Sequence, residues 1–205
     1  MSLRARREHE KETMRNAILA AAVKIIIAEG YDNLSMRKIA NEISYSPTTI
    51  YTYYKDKAQI INDILQEVYR KVVYNAAEVV KENKSAPIDK QLELSFKSFI
   101  NTMVSNAEMG MAVIRSGTKA MFEKSDEAKP PEENGVFILR EVLLEGQRQS
   151  IFRRLDENIP WMLITALLGF SMNAIENRLY LNADWCSMVH VYVEMLVNGL
   201  LIKND

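Results

Sequence analysis

Apolar residues recur every three or four positions along nearly the whole chain, and strand-like alternation is scarce, so the pattern predicts helices joined by short polar corners. Met14, Ile18, Ala22 and Ile25 line one face of a first helix over about 11–29, and Gly30 stands where a left-handed residue closes it. Ser35 can cap a second helix to about 43, with Ile39 and Ala40 turned inward. Ser44 and Tyr45 turn a corner. Ser46 then caps a third helix, 47–53, whose first residue, Pro47, lacks the N–H that would be orphaned there. Asp56 caps a long fourth helix, 57–83, ended by Asn83-Lys84-Ser85-Ala86-Pro87, because proline disfavours helix in the residue before it. A fifth spans 88–107, 109–122 reads as helix, and 123–135, with Pro130, Pro131 and Gly135, reads as a polar loop. Helix resumes over 136–155 and from Asn158-Ile159-Pro160 to about 181, and Asp184 caps the last helix. The fold class is all-α: a three-helix head, 1–57, followed by a helical domain of about six helices, 58–205.

Charge separates the same two parts. Residues 1–57 hold ten Lys or Arg against seven Asp or Glu, a balance of +3, and the remainder holds sixteen against twenty, or −4. The head is the basic part. The single cysteine, Cys186, cannot form an internal disulfide, and no charged-then-apolar signal segment opens the chain, so a reducing cytoplasm is the expected location. The longest uncharged stretch, 158–175, falls short of the roughly 20 apolar residues of a spanning helix and contains Pro160 and Asn173, which predicts a soluble protein.

The candidate chemistry lies in 35–57. Ile50 and Tyr54, four apart, can pack inward and leave Thr48, Thr49, Thr52 and Tyr53 outward, with Tyr51 near the edge. Short hydroxyls and phenols near Arg37, Lys38, Lys55 and Lys57 suit base edges and phosphates. A solvated surface helix explains these residues alone as well as DNA binding does. However, 18–65 is similar to the N-terminal signature of TetR-family transcriptional regulators: a helix ending Ala28-Glu29-Gly30-Tyr31, the Ile39-Ala40 pair, the Ser46-Pro47 start, and Ile50-Tyr51-Thr52-Tyr53-Tyr54 with Lys57 three residues on. The chain departs from that pattern at the corner, with Ser44 for the usual glycine and Tyr45 for an aliphatic residue, so Ser44 is expected to carry positive φ at a cost of order 1 kcal/mol. The resemblance implies a helix-turn-helix in which Ser46, Pro47, Thr48, Thr49 and Thr52 face bases or sugar-phosphate, Tyr51 and Tyr53 anchor the backbone, and Lys57 meets a phosphate. Arg37, on the supporting helix, is a weaker candidate for the opposite strand. Arg4, Arg6 and Arg7 are followed closely by Glu8, Glu10 and Glu12, which reads as a disordered tail rather than a minor-groove arm.

The helix after Pro160 is apolar on nearly every side, and the last helix carries two apolar stripes, so both need more than one partner. A four-helix contact between two copies satisfies them, with Leu168, Phe170, Trp185, Met188, Tyr192 and Leu196 in the interface; this is also the dimerisation mode that the resemblance implies. Met103, Met121, Phe122, Phe137, Trp161 and Tyr180 are candidates to line a cavity for a small apolar effector, although ordinary core packing is the better explanation for any one of them. Two histidines, one cysteine, no glycine-rich phosphate loop and no metal-spaced ligand set argue against an enzyme, a metal or a cofactor. The expected function is a homodimeric regulator, a repressor, that binds palindromic double-stranded DNA and is released by an effector. The alternative is an architectural or adaptor protein with the same head, a protein partner and no ligand.

Overall fold

A computed structural model describes residues 3–107, 109 and 135–202. Among them are eight α-helices: α1 (Leu3–Glu29), α2 (Met36–Glu42), α3 (Pro47–Tyr51), α4 (Lys57–Glu82), α5 (Ile88–Val104), α6 (Gly135–Arg148), α7 (Ile159–Glu176) and α8 (Trp185–Asn198). Short 3-10 turns fill Tyr31–Asn33 and Leu179–Leu181, and the one β-type pairing among the described residues is an isolated bridge between Phe152 and Leu201. Of the helix expected over 109–122 and the loop over 123–135, residues 110–134 lie outside the described residues; Met109 is helical, and Gly135 opens α6 rather than closing the loop.

The described residues form two compact units, one holding those up to Val68 with Met109, the other those from Tyr69 to Ala107 and from Gly135 on. The head therefore extends beyond residue 57. Ile60, Ile61, Ile64 and Leu65 of α4 are buried in the same core as Ile18, Ile26, Ile39 and Ile50, so the first turns of α4 are part of it. Helix α1 also begins at Leu3, where a disordered tail was expected. Arg6 pairs with Glu10 one turn on at 2.8 Å, and the Thr13 hydroxyl donates to the His9 carbonyl, so alternating charge that weakens a basic arm instead supports a helix.

Helix ends explain the remaining boundary differences. Gly30 has φ 82° and ψ 160°, which is outside the left-handed helical well and is a conformation that only glycine adopts readily. Helix α2 closes in a Schellman motif, with the Ser44 N–H on the Asn41 carbonyl, the Tyr45 N–H on the Ala40 carbonyl at 2.9 Å, and Ser44 at φ 60° as its sequence position predicts. Helix α6 closes likewise on Ser150, φ 59°, so it stops at Arg148 rather than near 155. The cause is Phe152, which folds back on Gly146: the Ile151 and Phe152 N–H groups both donate to the Gly146 carbonyl, and a Cβ at 146 would lie 2.1 Å from the Phe152 ring. Helix α7 ends at Glu176, short of 181, because Arg178 takes a left-handed conformation and starts the 3-10 turn. Asp184 stands at the N-cap of α8 but makes no side-chain capping bond.

In the second unit α7 packs on α5 and α6, and α8 on α5. Helix α7 is long and apolar enough to cross a membrane by length and composition, yet Leu163, Ile164, Leu167, Leu168, Ala174 and Ile175 are buried in this core. Helix α8 buries Val189, Val193 and Val197. The opposite sides leave Trp161, Met162, Val191 and Met195 exposed.

Gly146 provides a test in which two effects oppose. Gly→Ala inside an ordinary helix stabilises by roughly 1 kcal/mol, whereas overpacking a filled site costs roughly 1–3 kcal/mol. The ring overlap is severe, so Gly146→Ala is expected to lower the urea unfolding free energy, and adding Phe152→Leu is expected to recover part of the loss.

Candidate DNA-binding face

Helix α3 is built by its cap. The Ser46 hydroxyl accepts from the Thr49 N–H at 3.1 Å and shares a 2.9 Å hydrogen bond with the Thr49 hydroxyl, while Pro47 fills the first position. Its orientation comes from two residues: Ile50 and, just beyond the helix, Tyr54, which is only 1% exposed. The Tyr54 hydroxyl donates to Asp63 Oδ2 at 3.0 Å, Arg15 Nη2 reaches the same oxygen at 3.2 Å, and the Arg15 guanidinium lies 4.9 Å from the Tyr54 ring centre. Burial pushes the Tyr54 phenol above its usual range, against the Arg15 hydrogen bond that opposes the shift, so it remains a neutral donor to Asp63. Residues from α1, the α3 corner and α4 are thus tied at one point.

With Ile50 and Tyr54 inward, Ser46, Pro47, Thr48, Tyr51 and Thr52 are exposed and Thr49 is half-buried. Tyr51, expected near the edge, is 56% exposed. The Thr52 hydroxyl donates to the Thr49 carbonyl at 2.6 Å and keeps its lone pairs for a donor. Among the described residues the hydroxyls of Thr48 and Tyr51 have no intramolecular hydrogen bond. Tyr53, expected outward, is half-buried against the head core. Arg37 is exposed on α2, while Lys38 is paired with Glu29. Lys57 donates to the Tyr31 carbonyl at 3.1 Å and sits 4.1 Å from the Tyr31 ring centre, and burial lowers its pKa. It therefore fastens the start of α4 to the turn after α1. Sequence reasoning missed Arg15 and Asp63, which lie 39 and 9 positions from Tyr54 and share no helical period with it. Tyr45, at the corner before α3, is half exposed.

The second unit contains an apolar cavity of about 60 Å³ whose lining includes Tyr69, Val73, Phe96, Phe99, Leu139 and Ile164. None of the expected residues that are described lines it. Met103 is buried but outside the lining, Phe137 and Trp161 are exposed, Tyr180 is half-buried, and Met121 and Phe122 lie outside the described residues. On the α7–α8 face the Phe170 ring stacks on Trp185 at 5.7 Å and on Tyr192 at 4.1 Å, and the Tyr192 hydroxyl donates to the Ala166 carbonyl. Met188 and Leu196 are half-buried beside the exposed Met195. Leu168 is 3% exposed and faces its own core, which corrects its placement on an interface.

Residues 18–64 match the family described as bacterial regulatory proteins, tetR family. Over 189 residues, 89% of this chain and 93% of the relative, the sequence is 24% identical to the fatty acid metabolism regulator protein of Bacillus subtilis strain 168. A local match of 54 residues, 26% of this chain and 28% of the relative, is 41% identical to the DNA-binding transcriptional repressor TetR of Mycobacteroides abscessus. The fatty acid degradation regulator FadR from Bacillus halodurans has the same fold, with a TM-score of 0.69 at 19% identity, covering 89% of this chain and 94% of that one.

Tyr54→Phe removes a buried hydroxyl and leaves the Arg15–Asp63 pair without its bridge. The expected cost is roughly 1–2 kcal/mol, read as a lower chemical-denaturation midpoint with helical content retained.

Proposed function

Since the chain belongs to the TetR family and is a DNA-binding transcriptional regulator, we propose that it acts as a homodimeric repressor of fatty acid metabolism genes in the cytoplasm, released from a palindromic operator by a fatty acyl effector. The observation that carries the DNA contact is the division of α3: Ile50 is buried while Thr48, Tyr51 and Thr52 are exposed. A short helix that presents hydroxyls and phenols outward, set by an N-cap and a proline, suits entry into a major groove about 12 Å wide. Thr48 and Thr52 meet bases or sugar, Tyr51 the backbone, and Arg37 the opposite strand. Lys57 retains donors for a phosphate beyond its bond to Tyr31.

The effector assignment draws on the Bacillus subtilis relative and on the cavity lining, whose described residues carry no charged side chain. At about 60 Å³ the cavity is far smaller than the roughly 300–1,000 Å³ of a ligand-filled site. An acyl chain therefore binds only a form with the helices moved apart, and that differential affinity gives an effector its leverage. Helix α4 supplies Ile60, Ile61, Ile64 and Leu65 to the head core and Tyr69 and Val73 to the cavity lining, so we assign it the role of lever. The same small volume favours the alternative of a ligand-free adaptor. Titration of a protein–operator complex with fatty acyl compounds separates the two: release supports the effector, and retention by every chain length supports the adaptor.

Two variants test the remaining parts. Against a DNA site selected from genomic fragments, Tyr51→Ala is expected to weaken binding by roughly tenfold or more in anisotropy at fixed salt, with melting unchanged; full affinity would remove α3 from the interface. Met195, 61% exposed among the α7–α8 aromatics, tolerates charge in a single copy. Met195→Arg is expected to sediment as a monomer, and a persistent dimer would place the subunit contact elsewhere.

A further inference from the structure

The geometry points to Tyr45 as an additional DNA contact, a phosphate donor at the helix corner, resting on the reading of α3 as the DNA-binding helix. Tyr45 occupies the position that follows the left-handed residue of a Schellman motif, where an apolar side chain ordinarily folds back to cover the helix end. Its backbone obeys the motif, with its N–H on the Ala40 carbonyl at 2.9 Å and Ser44 at φ 60° before it. Its side chain does not complete it. Tyr45 is 49% exposed, and its hydroxyl has no intramolecular hydrogen bond among the described residues. Ile43, two residues earlier, packs against the head core.

Tyr45 lies within an uninterrupted run of exposed residues from Ser44 to Thr48, next along the chain to the hydroxyls assigned to DNA. It precedes the N-cap and so stands outside the helix that enters the groove. From there a phenol meets the groove wall, where phosphates lie, rather than the base edges on its floor. A neutral phosphate donor has a particular signature. It adds affinity without sequence preference and, carrying no charge, releases no counterion.

The test compares wild type, Tyr45→Phe and Tyr45→Val on the selected operator and on unrelated duplex of equal length, across a salt series. Tyr45→Phe, which removes only the hydroxyl, is expected to weaken binding roughly three- to tenfold on both DNAs with the salt slope unchanged. Tyr45→Val, which restores the aliphatic residue that the corner pattern favours, is expected to show at least the same loss with an equal or higher melting temperature. Full affinity in Tyr45→Phe overturns the assignment, as does a loss confined to the operator, which would make Tyr45 a base reader. If wild type binds and Tyr51→Ala weakens it while Tyr45→Phe does not, only the Tyr45 contact falls. If wild type binds neither DNA, the DNA-binding reading of α3 falls with it.

Discussion

A helix of five residues has no stability of its own, so α3 exists as a shaped surface only because the head takes up Ile50 and Tyr54. Tyr54 is the more demanding of the two. Its ring is buried, and its hydroxyl needs a partner that Asp63 supplies and Arg15 holds in place. That one junction joins α1, the α3 corner and α4. It also fixes which side of α3 is left over, and so decides that Thr48, Tyr51 and Thr52 are the residues presented outward.

What was legible in the sequence was local. Ser35 and Asp56 accept from backbone amides three residues on, as their positions before apolar periods predict, and Ser46 does the same for Thr49. Ser44 was recognisable as strained from the glycine it replaces. The misreadings came from contacts across the chain or from segments without phase. Gly146 and Phe152 meet across the turn at Ser150, and neither residue signals this alone. Helix α7 is apolar on nearly every side, so its sequence could not distinguish Leu168, in the core, from Met162, in the open. The cavity was expected among methionines and aromatics, yet much of its lining is valine, leucine and isoleucine from helices whose pairing no local pattern encodes.

The two units differ in how they treat polar groups. Several charges of the head are bound to one another or to backbone, Lys38 with Glu29, Lys57 with the Tyr31 carbonyl and Arg15 with Asp63, while Arg37 is exposed. This leaves neutral hydroxyls to define its exposed corner. The second unit buries little besides hydrocarbon around its cavity, with Tyr69 as a phenol whose pKa burial pushes up. The corner can therefore offer a partner directed hydrogen bonds, whereas the cavity can offer only shape and volume.

The way α4 is shared has a consequence for building chimeric regulators. Ile60, Ile61, Ile64 and Leu65 are integral to the head core, so a graft cut at residue 57 would strip away four buried isoleucine and leucine side chains and leave Arg15 without Asp63. A transplantable head has to run through Val68. The splice then falls inside a continuous helix, and the recipient must supply a segment that continues the same helical phase, which limits which relatives can exchange parts by recombination.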